Sequence, residues 1–120
     1  MSGFVVARSR ALPALTLLEA RMFRHVVLLR FVDESTPEQH EAIVAALRGL
    51  PAQIPELRSY QVGRDHGLAP TNFDLAVVAD CDDVDGYLVY RDHPAHRQVI
   101  DELITPILAD RAAVQHEGTP

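Results

Sequence analysis

Met22-Phe-Arg-His-Val-Val-Leu-Leu-Arg-Phe-Val32 is the stretch whose reading decides the fold. It is rich in Val, Leu and Phe, and it reads as a β-strand. Side chains alternate across a strand, so His25, Val27, Leu29 and Phe31 share one face, and Arg24, Val26, Leu28 and Arg30 the other. Both faces carry apolar residues, which implies that both are at least partly covered.

Working outward, Thr36-Pro37-Glu38-Gln39 opens a helix. Thr36 can cap it, Pro37 suits the first helical position, and Gln39 stands where a capping-box partner belongs. Ile43, Val44, Leu47 and Leu50 form its apolar stripe, and Gly49 and Pro51 end it. Leu57 to Val62 reads as a second strand, Gly63 to Asn72 as a loop, and Phe73 to Ala79 as a third strand. Asp82-Asp83 opens a short helix through about Arg91. A second helix begins at Pro94, capped by Asp92 or His93, and runs to about Ala109 with the stripe His96, Val99, Ile100, Leu103, Ile107. Arg111 to Glu117 makes a last strand.

The order β-α-β-β-α-β is the split pattern of ferredoxin-like α+β folds: an antiparallel four-stranded sheet with its helices on one face. Ile43, Leu47, Val99, Ile100, Leu103 and Ile107 are the expected core. The other sheet face, with Val26 and Leu28, then lacks cover from its own chain. Hiding it calls for a second copy, so a homodimer through the open sheet face is expected.

The chain has 120 residues, of which 48% are apolar, and its mean hydropathy is near zero, so it has material for one domain and one core. Acids outnumber bases 17 to 11, and every base is arginine. A net acidic chain without a basic run is a poor nucleic-acid binder. The absence of lysine excludes Schiff-base chemistry and a Walker-type phosphate site. One cysteine, Cys81, rules out an intrachain disulfide and a Cys-rich zinc site; it fits a reducing compartment, and a cytoplasmic location is expected. Residues 1–21 carry Arg8, Arg10 and Arg21 against Glu19, around an apolar run too short to span a bilayer. They read as an N-terminal extension outside the fold, the domain as residues 22–117, and residues 118–120 as a tail. No membrane association is expected.

Three blocks carry a family resemblance: Met22 to Phe31, Ile54-Pro-Glu-Leu-Arg-Ser-Tyr-Gln-Val-Gly-Arg64, and above all Tyr90-Arg-Asp-His-Pro-Ala-His96. From Met22 to Glu117 the chain resembles a Dabb domain, the stress-responsive A/B barrel. The resemblance implies a dimeric α/β barrel made by two packed sheets. It implies no single activity, since most members lack an assigned reaction.

The histidines are the candidate chemistry. The helical phase of His96 and the strand phase of His25 both point between helices and sheet, where they can share a small, mostly apolar pocket. An imidazole there has a tunable proton near neutral pH. The alternative is a pair of buried histidines that serve packing alone. Resemblance adds Tyr90: a plant polyketide cyclase of this family uses a tyrosine and the second histidine of its His-Pro-x-His segment, which match Tyr90 and His96, and its strand-one histidine matches His25. In a catalytic reading His96 is the base, Tyr90 holds or polarises a carbonyl oxygen, and His25 orients the ligand or the tyrosine. That chemistry needs no metal, nucleotide or flavin. His93 and His96 have Pro94 between them and no third ligand nearby, so no metal site is expected. His40, His66 and His116 read as helix-edge or surface residues, and Asp80, Asp82, Asp83 and Asp85 as capping residues rather than a calcium loop. Arg24 and Arg30 fall on the open sheet face, where acids across a dimer interface are their expected partners.

Two classes of function stay open: a small dimeric protein that binds a small apolar or aromatic ligand, or a cofactor-free enzyme of the polyketide-cyclase type.

Overall fold

The computed structural model describes residues 21–119. The extension expected over residues 1–21 therefore lies, Arg21 apart, outside the described residues. Strand β1 spans Met22–Phe31, helix α1 Pro37–Arg48, β2 Ser59–Arg64 and β3 Leu75–Cys81. Helix α2 spans Val84–Asp92 and α3 Pro94–Val99; β4 spans Leu108–Gly118. The strands form one antiparallel sheet in the order β2-β3-β1-β4. That is the split β-α-β topology read from the sequence, and the fold is α+β and ferredoxin-like.

Helix α1 starts where its capping chemistry requires. Thr36 accepts from the Gln39 amide at 3.2 Å, and the Gln39 side chain accepts from the Thr36 amide at 2.8 Å. Two of the donors that a helix start leaves orphaned are thereby satisfied. Ile43, Val44 and Leu47 turn inward onto the sheet face that carries Val27, Leu29 and Phe31. On β1 the alternation is complete: His25, Val27, Leu29 and Phe31 are buried, and Arg24, Val26, Leu28 and Arg30 are half-buried.

Two strands run two residues later than expected, Ser59–Arg64 and Leu75–Cys81, and β4 is longer at both ends. Apolar content marks Leu57 and Phe73 as strand residues. The ladder excludes them, because β2 pairs with β3 only from Ser59 to Arg64 and β3 with β1 only from Leu75 to Cys81. Leu57 is buried in the core, and Phe73 lies under the Arg30 guanidinium at 4.4 Å.

The last helix departs further from expectation. After Val99 it widens into a π turn over Ile100–Ile104 and then tightens into a 3-10 turn over Thr105–Ile107. The wide turn delays the helical phase, so Ile104 is buried where the expected stripe had Leu103. Ile100 and Leu103 pack on the core only in part. Pro106 and the turn to Leu108 stop the helix two residues before Ala109.

The arginines of the open face are also corrected. Arg24 and Asp80 are register neighbours on β1 and β3, and the guanidinium donates twice to that carboxylate, at 2.7 and 2.9 Å. Its partner is thus in its own sheet. Arg30 donates to the carbonyls of Thr71 and Asn72. Between these arginines the register aligns Val78, Val26 and Val114 in one row and Ala76, Leu28 and Ala112 in the next. Among the described residues no helix packs on these rows.

The Asp80 side chain is 4% exposed, and both of its oxygens accept from Arg24. Arg24→Ala is expected to cost about 3 kcal/mol, the low end for a broken buried pair because Arg24 itself is partly exposed, since it strands a buried carboxylate. Arg24→Leu combined with Asp80→Leu should recover most of that loss. Urea unfolding at pH 7 and fixed protein concentration measures both.

Candidate functional site

The register of the sheet builds the floor of the site. Tyr60 pairs with Ala79, Ala79 with His25, and His25 with Gln115, so these four side chains form one row across all four strands. They share the helix-facing side. Ala79 is the small member and stands between Tyr60 and His25, which are two strand spacings, about 10 Å, apart. Helix α2 lowers Tyr87 and Tyr90 onto this row, three residues apart on one helical face. Helix α3 adds His96.

The aromatic groups form a continuous cluster. The Tyr87 ring centroid is 4.9 Å from that of His25, and Tyr90 stacks on His96 at 4.2 Å. Tyr60 meets Tyr90 edge-on at 5.7 Å, and their hydroxyls are 3.0 Å apart. In such a pair one phenol donates to the other, and the acceptor keeps its own proton for a third group. His25, His96 and the three tyrosines all line one cavity of about 310 Å3, walled by Val27, Leu29, Leu47, Ile100 and Ile104. Its volume is at the lower end of small-molecule sites, about 300–1,000 Å3.

Hydrogen bonds set the proton positions of the two histidines. His96 Nδ1 is 3.0 Å from the carbonyl oxygen of Arg91. A carbonyl only accepts, so Nδ1 carries the proton of the neutral ring and Nε2 holds the free lone pair. For His25, the Gln115 amide nitrogen donates to Nδ1 at 3.0 Å and lies 3.2 Å from the Tyr87 hydroxyl. The His25 proton is then on Nε2. One ring thus offers a base and the other a donor.

Burial shifts these groups in one direction, towards neutrality. Desolvation, and then the charges of Arg111 and His96, push the His25 imidazolium down to about 4. His96 is lowered from the ordinary histidine value, again first by desolvation. Burial pushes the Tyr60 phenol up to about 12, and it raises Tyr90 as well. At neutral pH His25 and His96 are therefore uncharged imidazoles, and Tyr60 and Tyr90 protonated phenols.

The remaining sequence candidates lie elsewhere. His93 caps α3, its Nδ1 accepting from the Ala95 amide. His40 stacks on Phe31 and bonds Ser35; His66 and His116 are exposed. Asp83 caps α2 and Asp82 pairs with Arg58. Cys81 is buried, its thiol pushed up to about 11 by burial and then by neighbouring acids, so it packs as an unionised thiol. Among the described residues no group of His, Cys, Asp or Glu is arranged to hold a metal ion. Sequence reasoning missed Tyr60, Tyr87 and Gln115. Tyr87 had a usable signal, its three-residue spacing from Tyr90; Gln115 had none without the register.

Residues 23–117 match the family described as Stress responsive A/B Barrel Domain. The chain belongs to this family. A Streptomyces coelicolor protein is 31% identical over 94 residues, which span 74% of this chain and 97% of that protein. The structure is similar to that of a dimeric ferredoxin-like protein from Thermobifida fusca, 50% identical, with a TM-score of 0.74 over 82% of this chain and 92% of the other. It also shares its fold with a hydroxynitrile lyase from Passiflora edulis, at 19% identity and a TM-score of 0.73, covering 83% of this chain and 95% of the lyase. In this A/B barrel chain no described helix is long and apolar enough to cross a membrane.

The lowered value of His25 has a sign. Between pH 6.5 and about 4 the unfolded chain binds a proton that the folded chain refuses, so stability falls as pH falls through that window. His25→Gln should remove about 2 kcal/mol of that pH dependence. Urea unfolding of both proteins at pH 7 and pH 4.5 provides the comparison.

Proposed function

We propose that this A/B barrel chain forms a homodimer through its open sheet face and binds a small molecule in the cavity between the sheet and helices α2 and α3. The observation that carries the pocket is the convergence of His25, Tyr90 and His96 on one apolar cavity. Few polar groups within apolar walls is the usual make-up of a small-molecule site. The dimer is supported by the uncovered rows around Val26 and Leu28 and by the dimeric Thermobifida fusca relative. Leu68, 89% exposed in the loop beside Leu28, fits the same purpose. The folded unit is taken as residues 22–117, in keeping with the matched range, with residues 1–21 an extension and 118–120 a tail whose first residue, Gly118, still pairs with Met22 in β4. The reading extends to a cytoplasmic setting, supported by the lone unpaired thiol.

A second reading, cofactor-free proton transfer on a carbonyl-rich ligand, is favoured by one specific observation: the Arg91 carbonyl leaves His96 Nε2 as an available base. Beside it, the Tyr60–Tyr90 pair supplies one phenolic proton to a carbonyl oxygen. His25 then serves as a second donor.

A thermal-shift screen of the intact chain against His96→Ala tests the pocket. Ligands at ten times Kd should stabilise the intact protein by about 1.4 kcal/mol, several degrees in Tm, and lose most of that effect in the variant. Hits that survive in His96→Ala and in Tyr90→Phe would place the binding site elsewhere. Sedimentation at micromolar concentration should give about twice 13.3 kDa, and Leu28→Asp should return a monomer. A monomeric intact chain overturns the dimer.

A further inference from the structure

The charges around the cavity are one-sided. Three arginines, Arg91, Arg97 and Arg111, line it, and among the described residues no aspartate or glutamate does. The chain as a whole has 17 acids to 11 bases, so the lining runs against the composition. Arg91 and Arg97 are already engaged, with Asp92 at 2.9 Å and Asp101 at 3.4 Å. The Arg111 side chain makes no ion pair and no hydrogen bond among the described residues.

Its placement is set by the sheet. Arg111 pairs with Leu29, and Gln115 with His25, so Arg111 stands on the helix-facing side of β4, four residues along from Gln115. Between the two rows the floor is Val27, and Leu29 stands beside Arg111. The cavity therefore has an uncharged, hydrogen-bonding end at His25, Tyr87 and Tyr90, an apolar middle, and a cationic rim at Arg111. The histidines, both neutral at pH 7, bring no competing charge.

We propose that the ligand of this cavity is a small carboxylic acid with an apolar chain or ring, its carboxylate held by Arg111 and its body directed over Val27 and Leu29 towards His25. This rests on the pocket reading above and specifies its ligand class. A guanidinium presents a planar fork that matches a carboxylate bidentately, and the match is lost with an amide. Arg91 and Arg97 add field at the rim, reduced by their acidic partners.

Calorimetric titration with octanoate and 3-phenylpropanoate, against octanamide and 3-phenylpropanamide, tests the assignment. The intact dimer should bind each acid at least tenfold tighter than its amide, with the acid alone weakening as salt rises. In Arg111→Gln the acid-to-amide ratio should fall to near one while amide affinity is kept. Arg58→Gln, at an exposed pair with Asp82 outside the cavity, should keep the intact ratio. Equal binding of acid and amide by the intact protein overturns the proposal, as does a parallel loss of both in Arg111→Gln or binding of neither series. Neutral ligands sensitive to His96→Ala would, in any of those cases, leave the pocket itself standing, so the two failures are distinguishable.

Discussion

The pairing register of β1 between β3 and β4 is the constraint on which the rest depends. A strand has a period of two, so a slip of one residue would turn His25, Val27, Leu29 and Phe31 outward and bring Arg24, Val26, Leu28 and Arg30 under the helices. That would bury two arginines in an apolar core, a cost of several kcal/mol for each charge. The Arg24–Asp80 pair holds the correct register from the other face, because its two side chains meet only when these residues stand opposite one another. Core and site thus share one determinant. The alignment that buries Leu29 also sets Tyr60, Ala79, His25 and Gln115 in line.

Much of this was legible in the sequence, for a physical reason. His25 and His96 belong to segments with clean periods, and their facing positions follow from phase alone. The capping box at Thr36 and Gln39 was equally plain, because all of its chemistry lies within four residues. What escaped was non-local. Gln115 reaches His25 across 90 residues of chain, and Tyr60 reaches Tyr90 across 30. No local period encodes such meetings. The π turn at Ile100–Ile104 escaped for a related reason: an α-helical period assumed beyond Val99 puts Leu103, not Ile104, in the core.

The cavity is polar in an economical way. Burial holds the His25 and His96 imidazoles and the Tyr60 and Tyr90 phenols uncharged, and each has a partner that orients it. Buried polar groups are costly only when left unpaired, and among the described residues no buried side-chain nitrogen or oxygen lacks a hydrogen bond. A site of this kind is preorganised, since its donors and lone pairs already have fixed directions before anything enters.

Strand β4 is one edge of the sheet, and its two faces serve different ends. Arg111 lines the cavity and Gln115 lies on the same helix-facing side, while Ala112 and Val114 continue the apolar rows outside. The strand is therefore a shared boundary. In the proposed dimer a second subunit on those outer rows packs against the strand whose inner face carries Arg111, and by thermodynamic reciprocity whatever factor assembly contributes to ligand binding, binding returns to assembly.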